Sequence, residues 1–386
     1  MSNTYLIGAA ATPVGEHYGQ SLAAIAAQAV RAAFATTNLL PERIGALYVA
    51  NAFGESLTGQ SQLGAYLATA VGLRGLPAFR VEAGGASGGV AIHQAAQAIS
   101  TGQCDVAVVL GAEKLTDRLE GAVEAALAIQ SDAESEAING LTLTAQWALL
   151  MRRYMHLCDY PAEAFAPFPV NAHANALKNP QALYRFAISS DKYRKAAQIA
   201  SPLNMLDCSS LGDGAACLIL AAESVAQKLA GPHLRLAGSA VATDTPSLAM
   251  RPDPLDLTAA RASAHIALGR AHMGLGDLHV LELSDPHGIA ATLALESIGF
   301  YPRGEAPRHA ADGAIAPTGR TPLATAGGYK ARGDVGGASG VYQIVELARQ
   351  LRGEAGLTQV PKARVALAQS LGGVAATAAT CILVAE

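Results

Sequence analysis

The sequence predicts an α/β protein built from two pseudo-symmetric βαβ-rich halves, the first interrupted by an inserted loop domain. Three observations predict it: apolar strand-like runs alternate with alanine-rich helices, one glycine-rich helix start occurs twice, and the spacing between matching segments changes abruptly.

The alternation starts at once. Tyr5 to Ala10 reads as a strand before a helix from Ser21 to Ala35, and Ala46 to Ala50 as a strand before a helix from Gln62 to Val71. Late in the chain Leu278 to Leu283 precedes a helix from Ile289 to Gly299 in the same way. The repeat is explicit. Gly84-Gly85-Ala86-Ser87-Gly88 opens a helix ending near Ile99, and Gly336-Gly337-Ala338-Ser339-Gly340, 252 residues later, opens another ending near Leu351. The strands that follow, Asp105 to Gly111 and Arg364 to Gly372, place their Leu-Gly pairs 261 residues apart. The next matched pair, Ala215 to Leu220 and Ala379 to Val384, is offset by only 164, so the first half carries about 97 extra residues between Gly111 and Ala215. That insertion holds the acidic stretch Asp132 to Glu136, a helix from Thr142 to His156 containing Trp147, and the polar run Asn171 to Lys195. The expected organisation is 1–115 for the first part of the N-terminal half, 116–210 for the loop domain, 211–230 for the return strand and helix, and 231–386 for the C-terminal half.

Composition narrows the function. Of 386 residues 51% are hydrophobic and 15% charged, with mean hydropathy +0.25, which suits a large core with elements buried on both faces. A net charge of −4 without a dense Lys/Arg cluster gives no footing for nucleic acid. The first basic residue is Arg31, so the N-terminus lacks the charge of a secretory or transit signal and a cytoplasmic protein is expected. Residues Val365 to Ala385 are uncharged, but Gln369, Ser370, Gly372 and Gly373 break the run, which reads as two buried strands joined by a Gly-Gly turn rather than a membrane span. The five cysteines have no close pair spacing, which argues against a disulfide framework or a structural metal site; Cys104, Cys217 and Cys381 read as small core residues.

A glycine-rich turn into a helix gathers exposed backbone N–H groups at the positive end of the helix dipole, a place suited to developing negative charge. The same small residues equally serve close helix packing. Further residues carry a resemblance. Val81-Glu82-Ala83-Gly84-Gly85-Ala86-Ser87-Gly88-Gly89 resembles the nucleophile segment of thiolases of the sterol-carrier-protein and archaeal type. Asn171 to Ala176, Leu206-Asp207-Cys208-Ser209, Asp213 to Ala216, Gly327 to Gly333 and Leu371-Gly372-Gly373 resemble further segments of that family, across nearly the whole chain. The resemblance implies a thiolase fold with a five-layered αβαβα core, a homodimer, and a pocket for an acyl-CoA thioester, with coenzyme A as part of the substrate and no covalently bound cofactor or metal.

Carried over position by position, the family's nucleophilic cysteine is Gly85, its His-Asp-x-Phe motif is Ser284-Asp285-Pro286-His287, and the histidine of its Gly-His-Pro motif is Asp334. Without a thiolate to hold the acyl group, or the imidazole that activates it, a covalent thiolase cycle is not expected. Backbone donors survive at Gly85 and Gly373, and new proton-bearing groups stand at Tyr329, His287 and Asp334. Asp334 or His287 is the candidate base and Tyr329 the candidate acid; Lys330, Ser284, His173 and Asn175 are candidate substrate contacts. Each has a bland counterpart: His287 packing at the helix near Ile289, Asp334 pairing with Arg332 or Lys330, Tyr329 filling a leucine's space with its hydroxyl bonded nearby, Ser284 purely structural, His173 and Asn175 supporting the loop domain. Cys208 belongs to a motif ordinary thiolases keep and is no substitute nucleophile. Three functions stay open: a retro-aldolase on a β-hydroxyacyl-CoA working through a thioester enolate, in the manner of cysteine-free relatives that use a small OB-fold partner of the DUF35 type; a non-catalytic acyl-CoA-binding or scaffold subunit; and an acetyl-CoA acetyltransferase-like acyltransferase borrowing a partner's nucleophile.

Overall fold

The computed structural model describes residues 3–386. Its strands are β1 (Thr4–Ala11), β2 (Ala46–Ala50), β3 (Ala78–Val81), β4 (Val106–Glu113), β5 (Gln198–Ala200), β6 (Leu203–Asn204), β7 (Gly214–Ala222), β8 (Leu234–Thr243), β9 (Val280–Leu283), β10 (Val365–Gly372) and β11 (Thr377–Ala385). All but the β5–β6 hairpin lie in one nine-stranded sheet of order β3-β2-β4-β7-β1-β8-β11-β10-β9.

Outward from the central β1–β8 junction, the orders β1-β7-β4-β2 and β8-β11-β10-β9 match strand for strand, with the same directions: β7 is antiparallel to β1 and β4, β11 to β8 and β10, while β2–β4 and β9–β10 are parallel. The correspondence β4/β10 and β7/β11 is the one that the repeated Leu-Gly and Cys segments imply. Even the outermost β3 has a remnant partner, a parallel bridge from Leu281 of β9 to Leu323. The uncharged C-terminal run forms the β10–β11 hairpin, in register from Val365–Val384 to Gly372–Thr377. Strand β8, which zips the halves together through Thr4–Leu236 and Leu6–Leu234, carries no repeat signature of its own.

Period-2 alternation distributes each strand between two cores. Val106, Val108 and Leu110 of β4 face an outer core with the helix Leu22–Phe34, capped by Ser21, whereas Ala107 and Val109 face an inner core. Strand β10 does the same: Leu367 and Leu371 join an outer core with the helices Thr258–Ala271 and Gly288–Ile298, and Ala366 and Ala368 join the inner one. The inner core is filled by the two repeat helices, Ser87–Ser100 and Ser339–Arg352. Outer helices, first-half strands, the central helix pair, second-half strands and outer helices thus give the five layers αβαβα. Between β4 and β7 lie the helices Glu120–Ala128, Leu143–Cys158, Pro167–Ala176 and Ser190–Arg194, and Trp147 and Tyr154 pack from there into the second outer core. No helix among the described residues is long and apolar enough to cross a membrane.

The two central helices meet at backbone contact. A Cβ on Gly88 would lie 2.7 Å from the Val341 nitrogen and 2.8 Å from Gly340 Cα, and one on Gly340 would lie 2.8 Å from the Gly89 nitrogen. Both positions therefore require glycine, for packing rather than for backbone freedom. Gly340→Ala is expected to destabilise the protein by about 1–3 kcal/mol or more through overpacking against rigid backbone. Gly269→Ala, in the helix Thr258–Ala271 with nothing within 4 Å of the added carbon, should be neutral or stabilising by about 0.5–1 kcal/mol. Urea denaturation of the two variants checks the contrast.

Candidate active site

The first repeat turn and the β10–β11 turn lie face to face where the two halves meet. The Gly85 N–H and the Gly373 N–H both donate to one atom, Oε1 of Gln130, at 3.0 and 3.2 Å. Because both donors are backbone N–H groups, the side-chain atom facing them is the carboxamide oxygen. Two convergent N–H groups on one oxygen, one supplied by each half, have the form of an oxyanion hole. Position 85 has no room for a side chain: a Cβ there would lie 2.5 Å from the Leu371 carbonyl oxygen.

The hole opens on a cavity of about 130 Å³ lined by apolar groups, among them Phe53, Leu143, Trp147 and Leu371, and by Ser284, His287, Tyr329, Asp334 and Cys208. The structure therefore brings Gly85, Gly373, Asp334, Tyr329, His287 and Ser284 to one cavity. Lys330, His173 and Asn175 stand outside its lining. The Lys330 ammonium donates to the Cys208 carbonyl, and burial pulls its pKa down to about 8 against the pull of Cys208, Asp207 and Asp285. His173 Nδ1 lies 3.0 Å from the Phe186 carbonyl, its ring stacks on Tyr184, and burial followed by Lys330 lowers it to about 4. Asn175 donates to the Ala324 carbonyl at 3.0 Å. Asn175 thus ties the loop-domain helix Pro167–Ala176 to the segment leading to Tyr329, Lys330 ties that segment to Cys208, and the His173 bond stays within the loop domain.

Burial governs the cavity's proton equilibria. The Tyr329 hydroxyl is buried beside Ser284 without a hydrogen bond of standard geometry; burial and then the Asp334 carboxylate push its pKa above the ordinary phenol range, against the pull of Ser284. Tyr329 is therefore a neutral phenol. His287 occupies the N-cap position of the helix Gly288–Ile298 without capping it; its ring lies 6.4 Å from Trp147 and its Nδ1 has no partner. Burial and Lys330 pull it down to about 3, leaving a neutral imidazole and a weak base. Asp334 pairs with neither Arg332 nor Lys330. Its Oδ1 accepts from Gly336 N–H at 3.0 Å and Ser339 Oγ at 2.9 Å, at the second repeat turn, while burial raises its pKa against these bonds and Arg332. Arg332 instead faces Glu346 at 3.5 Å and lies over the rings of Tyr329 and Tyr342 at 5.5 and 4.9 Å. Ser284 Oγ accepts from Leu371 N–H at 2.9 Å, fixing the strand end that presents the Gly373 turn. Cys208 has its thiol pushed up to about 12 by burial and then Asp207, so it stays protonated. Among the described residues no cluster of three or more His, Cys, Asp or Glu side chains is placed to hold a metal ion.

A fold in which crossed central helices bring backbone donors from two duplicated halves to one cavity is that of the thiolase class. The chain belongs to the thiolase family: residues 4–224 match the thiolase N-terminal domain and residues 240–385 a thiolase C-terminal domain-like region. It is 33% identical over 382 residues to an acetyl-CoA acetyltransferase of Methanothermobacter thermautotrophicus, covering 99% of each chain. It is 28% identical to a 17-hydroxy-3-oxo-4-pregnene-20-carboxyl-CoA lyase of Mycobacterium tuberculosis, over 90% of this chain and 91% of that one. Among solved structures, an Ltp2-ChsH2(DUF35) aldolase superposes with a TM-score of 0.86 at 26% identity, covering 100% of this chain and 98% of that one.

Asp285, next to Ser284, gives the site a pH signature. Burial raises its carboxyl to about 8 against an ordinary 3.8, opposed by the Tyr329 N–H and Arg332. The folded protein then keeps a proton that the unfolded chain loses between about pH 4 and 8, so stability falls as pH rises through that window, by at most about 1.4 kcal/mol per pH unit. Asp285→Asn should flatten this slope; thermal unfolding of both proteins from pH 5 to 8 measures it, and parallel slopes would contradict the assignment.

Proposed function

We propose that this protein is a non-covalent carbon–carbon lyase acting on a β-hydroxyacyl-CoA. The observation that carries the reading is the convergence of Gly85 N–H and Gly373 N–H on one oxygen position, beside a neutral phenol and a carboxylate in an apolar cavity. Asp334 takes the β-hydroxyl proton through Oδ2, the oxygen outside its two turn bonds. The Cα–Cβ bond breaks, its electron pair passes to Cα to give a thioester enolate, and the β-carbon leaves as a ketone or aldehyde. The two N–H groups hold the enolate oxygen, Tyr329 protonates Cα to release the shortened acyl-CoA, and the proton taken up by Asp334 passes to the phenolate to restore both groups. Burial favours both roles: a raised carboxylate is a stronger base, and a raised phenol stays protonated until an enolate forms beside it. His287, lowered to about 3, is a hydrogen-bonding neighbour rather than the base.

The position that corresponds to the family's cysteine is Gly85, and the close Leu371 carbonyl supports a cycle without an acyl-enzyme. Gly85→Cys is accordingly expected to yield no covalent acyl-enzyme by intact-protein mass spectrometry with acetyl-CoA. The lyase named among the relatives and the aldolase among the structural neighbours support carbon–carbon cleavage on this fold. By the same likeness a partner of the DUF35 type is proposed; that this partner is a small OB-fold protein and that the chain forms a homodimer are proposed from the family resemblance. A second reading, an acyl-CoA-binding scaffold subunit, draws on the Gln130 side chain that fills the hole. An acyltransferase would need a partner's nucleophile, given the protonated Cys208 thiol.

Asp334→Asn combined with Tyr329→Phe is expected to lower turnover by roughly 10²-fold or more. The assay is mass-spectrometric detection of shortened acyl-CoA from a panel of β-hydroxyacyl-CoA thioesters. Full activity in the double variant would sink the assignment, and stoichiometric acyl-CoA binding without turnover in the wild type, alone or with a partner, would favour the scaffold.

A further inference from the structure

Gln130 and Phe53 are the side chains that line both the 130 Å³ cavity and a neighbouring open groove of about 840 Å³, whose walls include Ser56, Arg80, Thr243 and Asp244, and of the two only Gln130 is polar. Its carboxamide oxygen occupies the place a thioester oxygen would take, satisfying the two N–H donors as a substrate would. The cavity behind it is well below the roughly 300–1,000 Å³ typical of small-molecule sites, whereas the groove in front falls within that range. Gln130 follows the helix Glu120–Ala128 in the loop domain and is only half-buried, and its neighbour Ile129 is 60% exposed. Swinging this side chain out requires no movement of the core.

We infer that Gln130 is a substrate-displaced gate: the acyl-CoA carbonyl replaces the Gln130 carboxamide on the Gly85 and Gly373 N–H groups, and the same movement joins the groove to the cavity. This rests on the reading of the site as an acyl-CoA site. The exchange is nearly balanced for a thioester, because two hydrogen bonds are broken and two remade. It is unbalanced for a ligand without a carbonyl, which leaves both donors unpaired in an apolar site. The gate thus selects for the thioester carbonyl itself before any chemistry occurs, and discriminates against thioethers of coenzyme A.

Two variants act in opposite directions. Gln130→Ala removes the competitor and should tighten acetyl-CoA binding by roughly tenfold. Gln130→Glu keeps the size and puts a carboxylate on the same two N–H groups, a stronger acceptor, and should weaken binding by roughly tenfold. The experiment is calorimetric titration of the wild type and both variants with acetyl-CoA and with S-ethyl-coenzyme A, in which the carbonyl is a methylene. In parallel, hydrogen exchange is followed in the peptides containing Gly85 and Gly373. Expected are the affinity order Gln130→Ala, wild type, Gln130→Glu, an S-ethyl-coenzyme A affinity at least tenfold below that of acetyl-CoA in the wild type, and faster exchange in Gln130→Ala that acetyl-CoA slows again. Weaker acetyl-CoA binding in both variants would make Gln130 a substrate contact and overturn the gate. So would unchanged exchange in Gln130→Ala, or acetyl-CoA binding to none of the three proteins. The intact affinity order without lyase turnover would instead remove the lyase reading and leave the gate standing.

Discussion

The structure depends on the crossing of two helices at Gly88 and Gly340. With their backbones in contact, the helices Ser87–Ser100 and Ser339–Arg352 form an inner layer thin enough for the inner faces of both sets of strands to close on it. The crossing also fixes the site. It sets the turn at Gly84–Ala86 against the end of β10, where a Cβ on Gly372 would lie 2.2 Å from the Ala83 carbonyl oxygen. The two backbone donors come from different halves, so neither half alone could assemble the hole. The repeated Gly-Ala-Ser-Gly motif therefore answers to packing and to chemistry together: the third glycine of each turn permits the crossing, and the crossing places the N–H of the second.

Burial then sets the chemistry available there. Every titratable group around the cavity moves toward its neutral form: Tyr329, Asp285, Asp334 and Cys208 upward, His287 and Lys330 downward. Arg332 is the exception, its guanidinium kept charged by Glu346 despite burial, between two tyrosine rings. A cavity of neutral hydrogen-bonding groups with little mobile charge favours a reaction whose one transient charge, an enolate oxygen, is met by fixed dipoles. It disfavours any step that first requires a free thiolate or an imidazolium.

Much of this is legible in the sequence because duplication writes the fold twice. The β4/β10 and β7/β11 correspondence, the insertion and the helix starts follow from spacing, and strands such as Ala46–Ala50 coincide with their observed bounds. What fails to show is whatever depends on contacts between distant segments. Strand β8 joins the halves only through its pairing with β1 and β11 and has no motif. Arg332 is two residues from Asp334, yet its partner Glu346 comes one helix later, on the face that folds back over it. Lys330 is adjacent to Tyr329, but successive residues of a tight turn point in different directions, so one lines the cavity and the other backs it. Gln130 carried no signal at all: it belongs to the insertion, where no second copy exists for comparison, and acts over 45 and 243 residues of chain.

The duplication also explains why the two helix starts are not equivalent. Ser87 Oγ accepts from Ala83 N–H at 2.9 Å, and Ser339 Oγ accepts from Val335 N–H at 2.8 Å, the same bond four residues back in each copy. Each turn also finds two acceptors for its exposed N–H groups. The first N–H is met in both copies by a carboxyl side chain two residues upstream, Glu82 for Gly84 at 2.7 Å and Asp334 for Gly336 at 3.0 Å. The second N–H is met in both by a side chain far away in the chain, Gln130 for Gly85 at 3.0 Å and Glu113 for Gly337 at 3.2 Å. Glu113 is buried on β4 and also accepts from Asn51, Ala52 and Phe53, so it cannot leave without breaking a network in the core. Gln130 is neutral and mounted on a half-buried segment. A neutral acceptor that can leave suits a binding site, since another neutral oxygen can take its place at little cost. The two copies therefore differ at the second N–H, which one turn gives to a fixed buried carboxyl and the other to a carboxamide that a ligand oxygen can replace.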